Sequence, residues 1–396
     1  MAPNNVTRAA SSSIRAFDLP REVLPIYLTT FVDMLSYTLL IPLLPAIAHK
    51  YGARDWMIGM LLSIPAFFSA VAAPLWGRAS DLAGRKFIIL VAQVFTLAGY
   101  VILAIAGSLF WIYISRLISG VGAGSISAAE SFIADVTNEQ QRNRAYAFYG
   151  AVLGSAFIVG PVAAGFLHVY GLQFPFVVAA GLEIINIGLT VWLLPARTRS
   201  KKPRPRETTI SHSLRAAWRP QIRRVLLRQF LFIFAVVYLL ADFALYLDHA
   251  LHESIQRSSW LLAAAGIVGG ITMLAVVTPL TRRIGDFRTG QIGFALLFVA
   301  YTLIYFVKNI NWFFPVLILW AAGAAMVEPT IMTILSKRAP KSELGAIMGV
   351  SDSINSIALI LAPAIGTAII GERPRLIGIL PAIAVASAFA LGRLRR

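Results

Sequence analysis

Several ionisable side chains lie inside long apolar stretches of the sequence, where a charge is costly. Among them are Asp33, Arg116, Glu130, Asp242 and Glu328. Charged groups within a hydrocarbon layer usually face a cavity and serve a function. A carboxyl group held away from water favours its protonated form, so it can take up a proton at one membrane face and release it at the other. These residues therefore indicate proton chemistry within a membrane.

The elements that carry these residues have the length and composition of membrane helices. The chain of 396 residues is 58% hydrophobic and 13% charged, against roughly 45–50% and about 25% in soluble domains. A membrane helix needs about 20 apolar residues. Twelve such stretches are predicted, near Leu24–Ala48, Trp56–Trp76, Phe87–Ala106, Leu109–Ala134, Ala145–Val169, Phe174–Leu194, Val225–Leu247, Trp260–Leu280, Gln291–Val307, Trp312–Leu335, Leu344–Ile370 and Leu376–Leu391. We expect an all-α integral membrane protein.

The basic residues are distributed unequally between the two sides of these spans. Of the 35 Lys and Arg, 28 fall on the side of the two termini and the middle loop, six on the opposite side, and Arg116 within a span. The positive-inside rule therefore predicts that both termini lie in the cytoplasm. The net charge of +17 is a topology signal, and nucleic acid is not an expected partner. The first 22 residues lack an apolar core and are predicted to be a cytoplasmic tail, not a signal peptide.

Motifs of enzymes are absent from the sequence. The chain has five His and no Cys, which excludes disulfides, thiolate metal sites and cysteine nucleophiles. Neither the zinc-protease pattern HExxH, the nucleophile pattern GxSxG, nor a phosphate-binding glycine loop occurs. We expect no catalysis, no cofactor and no metal. Asp248, His249 and His252, near one end of a span, are expected to be solvated.

A basic, proline-containing segment divides the spans into two sets of six. The predicted organisation is a tail at 1–22, a bundle at 23–195, a linker at 196–224, a second bundle at 225–392 and a tail at 393–396. The segment Pro74-Leu75-x-x-Arg78 is echoed by Pro279-Leu280-x-x-Arg283, and Gly160-Pro161 by Ala362-Pro363. Duplicated bundles place substrate between the halves near the midplane and transport it by rocking.

The loop after the second span carries the first family signature. It reads Gly77-Arg-Ala-Ser-Asp81-Leu-Ala-Gly84-Arg85-Lys86 and resembles the loop of the major facilitator superfamily, except at Ala79 and Leu82. The resemblance implies that Asp81 and Arg85 form a cytoplasmic latch together with Asp135, an acid at the end of the fourth span. A plain positive-inside loop is the alternative.

The fifth span contains a glycine pattern that resembles the motif of the family's antiporters. The pattern comprises Gly150, Gly154, Gly160, Pro161 and Gly165, with Ala164 where the family usually has glycine. Glycines let helices approach closely, and a proline bends the helix and frees a carbonyl. The resemblance implies export, whereas ordinary small-residue packing is the alternative.

Within the superfamily, the chain is most similar to twelve-helix drug:proton antiporters of the tetracycline-efflux type. The similarity rests on Phe31-Val-Asp33-Met34, Ile41-Pro42-Leu43-Leu44-Pro45 and Ser115-Arg116-Leu117-Ile118-Ser119-Gly120. Tetracycline exporters also carry acids on helices three and nine, and this chain has none there, so tetracycline is not the expected substrate. The resemblance implies that helices one, four, seven and ten line the cavity.

The expected site follows from these assignments. Asp33, Arg116 and Glu130 are predicted to couple protons, with Arg116 promoting proton release from a nearby acid. The predicted substrate cavity comprises the acids Asp33, Glu130, Asp242 and Glu328 with the aromatic side chains Tyr37, Phe67 and Tyr246. Glu183 is interpreted as structural, and Asp352 is left open between a structural and a cavity position.

The predicted function is export of small amphipathic or cationic compounds in exchange for protons, by a monomer in the cell (inner) membrane. The expected partners are a small-molecule substrate, protons and the lipid bilayer. A carrier of a specific metabolite, siderophore or lipid with the same fold is the alternative.

Overall fold

A computed structural model describes residues 20, 22–195, 217–340, 343–371 and 373–393, which form helices joined by short turns. Most residues of the two predicted tails and of the predicted linker lie outside the described residues. The α-helices are α1 Val23–Leu40, α2 Leu44–Lys50, α3 Asp55–Ala83, α4 Arg85–Ala104, α5 Leu109–Gly122, α6 Gly124–Val136, α7 Glu139–Leu167, α8 Phe174–Leu193, α9 Pro220–Leu251, α10 Ile255–Ile271, α11 Thr278–Ile284, α12 Asp286–Ile304, α13 Ile310–Arg338, α14 Leu344–Ile370 and α15 Ile379–Arg393.

Eleven helical segments in the described part of the chain are long and apolar enough to cross a membrane. The fourth span is divided between α5 and α6 at Ala123, within a run of glycines. A Cβ at Gly120 would lie 2.7 Å from the Pro65 backbone, and one at Gly122 would lie 2.8 Å from the Ala92 carbonyl. Glycine is required here because the backbone approaches α3 and α4 closely. With α5 and α6 counted together, the twelve predicted spans are confirmed.

Other interruptions follow from local sequence. The first span breaks between α1 and α2 around Pro42 and Pro45, since proline cannot donate a helical hydrogen bond. A π-helix at Thr272–Val277 joins α10 to α11 in the eighth span. Helix α9 begins at Pro220, inside the range predicted as linker, because Arg223 and Arg224 extend the membrane helix on its polar end.

The spans form two halves, α1–α8 and α9–α15, which pack together mainly through α3 against α14 and α7 against α10. The Ser63 hydroxyl donates to the Ile360 carbonyl over 2.6 Å. A Cβ at Gly59 would lie 3.1 Å from the Pro363 carbonyl carbon, and a Cβ at Gly266 would lie 2.7 Å from the Ile158 side chain. These contacts concentrate at the end of the bundle that is opposite to the start of α1 and the end of α15. We call the end with these contacts the far side. The end that carries the start of α1 and the end of α15 is the terminus side.

The same helix faces are uncovered on the terminus side. Gly59, Ser63 and Phe67 follow one another at four-residue spacing on α3, and the Phe67 side chain is 50% exposed. Asp352, eight residues before Ile360 on α14, is also exposed. No atom of the described residues would lie within 4 Å of a Cβ at Gly150 or Gly154. The halves therefore enclose a space that opens to the terminus side.

The predicted glycine motif divides into two structural roles along α7. A Cβ at Gly160 would collide with the Thr38 side chain and lie 3.0 Å from the Leu39 nitrogen, whereas Gly165 faces Ser259 of α10. The Thr38 hydroxyl donates to the Ala156 carbonyl over 2.8 Å. Gly160 and Gly165 thus allow close helix packing, while Gly150 and Gly154 border the open space.

We predict that Gly160→Ala destabilises the protein, because the added methyl overpacks the contact between α7 and α1 at a cost of about 1–3 kcal/mol. Gly154→Ala is the matched control: its methyl enters open space, and alanine favours a helix over glycine by about 1 kcal/mol. Thermal unfolding of the purified variants in detergent measures the difference. Equal unfolding temperatures for the two variants would contradict the assigned packing.

Candidate functional site

Asp33 lies inside the N-terminal half, on α1, with 8% of its surface exposed. A cavity of about 10 Å³ next to it is also lined by Thr29, Thr30, Gln93 and Ala129, which is about the room that one water molecule needs. Gln93 of α4 is buried, and its Oε1 atom has no hydrogen-bond partner within the described ranges. The polar lining makes this cavity suited to a water beside the carboxyl group.

Arg116 lies on α5 and is buried with its charge in the same half. Its Nη2 atom donates to the Ser115 hydroxyl over 3.2 Å, and its Nε atom has no hydrogen-bond partner in the part of the chain that is described. Arg116 is close enough to Tyr37 and Tyr100 to interact electrostatically, and Tyr100 interacts in the same way with Asp33. The predicted coupling residues Asp33 and Arg116 thus belong to one buried polar cluster.

Glu183 of α8 is a member of this cluster that sequence reasoning interpreted as structural. Its side chain is fully buried, and its carboxylate accepts a 3.3 Å hydrogen bond from the Asn186 amide. Within the described residues, Glu183 Oε2, Asn186 Oδ1 and Thr190 Oγ1 have no hydrogen-bond partner. Tyr100 interacts electrostatically with both Glu183 and Asp33. The spacing of 183, 186 and 190 places three polar residues on one helix face, a signal that the sequence contained.

Three further acids reach the open space between the halves. Glu130 of α6 and Asp352 of α14 are exposed and interact electrostatically across it. Glu328 of α13 is exposed, although Ala321 and Leu335, one heptad before and after it, are buried. Because residues seven apart share a helix face, Glu328 faces the interior space instead of lipid.

Aromatic side chains border the same space. Tyr37 is 42% exposed on α1, and Phe67 of α3 is half exposed. The Tyr146 hydroxyl of α7 donates to the Glu130 carbonyl over 3.0 Å, which fixes α6 to α7 next to the acid. The space therefore combines carboxylates with aromatic surfaces.

Asp242 and Tyr246, which we expected in the cavity, are fully buried. The Tyr246 hydroxyl donates to the Ile304 carbonyl over 3.3 Å, and its ring lies 5.6 Å from that of Phe313. Asp242 packs against Gly366 of α14, and neither of its carboxylate oxygens has a hydrogen-bond partner among the residues described. In this conformation the structure does not bring these two residues to the open space.

The predicted loop cluster is formed in part. Arg85 Nε donates to Asp135 Oδ2 over 3.1 Å and Nη1 to the Ser80 hydroxyl over 2.8 Å. Lys86 donates to the Val191 and Leu194 carbonyls at the end of α8, each over 2.7 Å. The side chain of Asp81 and the surroundings of Gly77 lie outside the described residues. Since these bonds join elements of one half, a latch between the halves stays a prediction.

An ion pair in the second half corresponds to the Arg85–Asp135 pair, with the acid and the base exchanged. Gly84 and Gly285 both have positive φ, 96° and 84°. Asp286, directly after Gly285, accepts a 2.6 Å hydrogen bond from Lys337 at the end of α13. The turn at Gly84 lies ten residues after Pro74, whereas the turn at Gly285 lies six residues after Pro279. Relative to these turns, the two Pro-Leu-x-x-Arg segments are therefore offset by four residues, about one helical turn.

Comparison with known proteins agrees with this architecture. The sequence profile of the Major Facilitator Superfamily matches residues 26–363. The tetracycline resistance protein, class C, of Escherichia coli is 28% identical over 348 residues, covering 86% of this chain and 87% of that protein. Multidrug resistance protein 1 of Bacillus subtilis is 25% identical over 348 residues, covering 85% and 86%.

Solved structures show the same fold at lower identity. The human organic anion transporter MFSD10 (TETRAN) is 20% identical with a TM-score of 0.72, covering 94% of this chain and 100% of that one. The nucleoside transporter NupG, solved as a point mutant, is 13% identical with a TM-score of 0.79, covering 94% and 99%. The predicted family and fold are confirmed: the chain belongs to the Major Facilitator Superfamily and is a multi-pass membrane transporter of a small molecule, not an enzyme.

Proposed function

We propose that the protein is a proton-coupled exporter of small amphipathic or cationic compounds, which works as a monomer by alternating access. The observation that carries the proposal is the position of Asp33. It lies ten residues into α1, about 15 Å along the helix, in a buried polar cluster beside the open space. An ionised carboxylate is costly at that depth, so the group holds a proton during part of the cycle.

The charge distribution supports the orientation that this proposal requires. The excess of basic residues assigns the terminus side to the cytoplasm, and the halves are apart on that side. Both termini then lie in the cytoplasm of a cell with the protein in its inner membrane. The conformation is open to the compartment from which an exporter takes its cargo, and α7 carries Gly160 and Pro161 of the antiporter-like motif.

The coupling step requires proton and cargo to exclude one another. Cargo entering from the cytoplasm favours ionised Asp33 and releases its proton. Protonation from the outside then expels the cargo. Arg116 favours the ionised form of the acid through its positive charge, and Tyr100 is a neighbour that interacts electrostatically with both residues.

The walls of the open space favour cationic cargo. Glu130, Glu328 and Asp352 place negative charges around a space with low-dielectric walls, where attraction of a cation is stronger than in bulk water. The exposed ring of Phe67 and the phenol of Tyr37 offer aromatic surfaces for a cationic or flat amphipathic compound. The relatives named for multidrug and tetracycline resistance are consistent with such cargo.

We predict that Asp33→Asn abolishes accumulation driven by a pH difference while folding and substrate binding persist. Asparagine keeps the size of the side chain but removes the titrating group, so binding loses its pH dependence. Proteoliposomes with and without an imposed pH gradient measure accumulation, and a binding titration between about pH 5 and 9 measures the competition. Asp33→Asn proteoliposomes that still concentrate substrate would refute the assignment, and Glu183 and Glu130 would be tested next.

Cargo selectivity gives a second prediction. Glu130→Gln should reduce transport of singly charged cationic compounds about tenfold or more relative to neutral analogues of similar size. The substitution removes one negative charge from the space between the halves. Asp248→Asn, a change to an exposed acid on the far side, serves as the surface-charge control. Counterflow assays with paired cationic and neutral compounds give the ratio. Equal losses for both classes would show that Glu130 supports the structure only.

A further inference from the structure

Three potential metal-binding side chains meet at the far side, and they come from both halves. His49 lies in the last turn of α2, Asp55 in the first turn of α3, and His249 in the last turn of α9. One ligand atom from each residue lies within 4.8 Å of the others. His249 had been expected to be solvated, but its side chain is only 28% exposed and faces Asp55.

Two nitrogen–oxygen pairs of the cluster lie within ion-pair distance without forming hydrogen bonds. His49 Nε2 lies 3.2 Å from Asp55 Oδ1, and His249 Nδ1 lies 3.7 Å from Asp55 Oδ2. The first two atoms are buried, and neither has a hydrogen-bond partner among the described residues. Buried polar atoms without partners are rare in proteins and call for an explanation. The two imidazole rings are 6.0 Å apart, at a tilt of 48°.

We propose that His49, Asp55 and His249 bind a divalent transition-metal ion of the Zn²⁺ class, which joins the two halves and holds the far side closed. Two imidazoles and one carboxylate are a ligand set that suits Zn²⁺, with a fourth position left for water. Zinc bonds of about 2.0–2.1 Å at tetrahedral angles place ligand atoms about 3.3 Å apart. His49 Nε2 and Asp55 Oδ1 are at about that distance, and all three ligand atoms lie within 4.8 Å of one another. Imidazole ligands disfavour Ca²⁺ and Mg²⁺, which prefer oxygen.

The position of the site gives the ion an effect on conformation. Asp55 sits against α14, because a Cβ at Gly371 would lie 2.6 Å from its Oδ2 atom. Opening the far side separates α9 and α14 from α2 and α3, so it removes His249 from the other two ligands. An ion that binds only the closed arrangement shifts the population toward it. The proposal concerns metal binding and does not depend on which compound is transported.

Calorimetric titration of the full-length protein with ZnCl₂, after removal of any polyhistidine tag, tests the site. We expect one ion per chain, and a loss of affinity of at least tenfold in both His49→Ala and His249→Ala. His252→Asn is the matched control: it removes a neighbouring histidine outside the cluster, and asparagine tolerates the left-handed φ of 55° at that position. Monodispersity and metal-free unfolding temperature show that each variant is folded.

The pattern among the variants decides the outcome. Absence of stoichiometric binding, or equal affinity in His249→Ala and His252→Asn, would overturn the proposal. Loss of affinity in His49→Ala alone would show a site within one half and would equally overturn it. Hydrogen exchange tests closure: Zn²⁺ should slow exchange of the amides at 59–64 in α3 severalfold, and should have no such effect in His249→Ala. Unchanged exchange in the parent protein would refute the claim that the ion holds the far side closed.

Discussion

Close contact between α3 and α14 is the constraint on which the arrangement of the halves depends. Gly59 of α3, which faces Pro363 of α14, and the hydrogen bond from Ser63 to the Ile360 carbonyl bring the backbones together on the far side. In lipid, helices associate through such small-residue packing and not through the hydrophobic effect. Because this contact is confined to one end, the same faces diverge toward the other end, and the space between the halves, its exposed acids and its aromatic walls result from that divergence.

The polar groups inside the N-terminal half show how a membrane protein retains charge at depth. Asp33, Arg116, Tyr100 and Glu183 lie close enough to interact electrostatically: Arg116 favours the ionised form of Tyr100, whereas the two carboxyl groups disfavour each other's negative charge. The Nε atom of Arg116 and the Oε2 atom of Glu183 lack hydrogen bonds within the described part of the chain, which leaves them able to exchange partners when a proton or a water arrives. A fully satisfied network would be more rigid, whereas this one retains the capacity to respond.

The sequence predicted the spans, the two halves and the contact of Arg85 with Asp135, because length, charge asymmetry and a loop motif are local properties. It failed where the answer depends on helix rotation against a partner. Tyr246 and Asp242 were assigned to the cavity from their helix, yet both are fully buried, and Tyr246 packs on Phe313 and Ile304 of its own half. His249 was assigned to solvent because its neighbours Asp55 and His49 are about 200 residues away in the chain. Glu183 was discounted by the peripheral place of its helix, although its polar neighbours at 186 and 190 marked a buried face.

The π-helix at Thr272–Val277 has a mechanical consequence for the eighth span. A π-helical turn contains one residue more than the surrounding α-helix, and each residue of an α-helix corresponds to a rotation of about 100°. When the π-helical turn shifts along the span, backbone hydrogen bonds are exchanged one at a time. The part of the helix that the turn has passed then rotates about the helix axis. Helix α10 stays docked on α7, and the short α11 beyond it can change the side chains that it presents. The π-helical turn therefore allows one end of the eighth span to rotate without the other end losing its contacts.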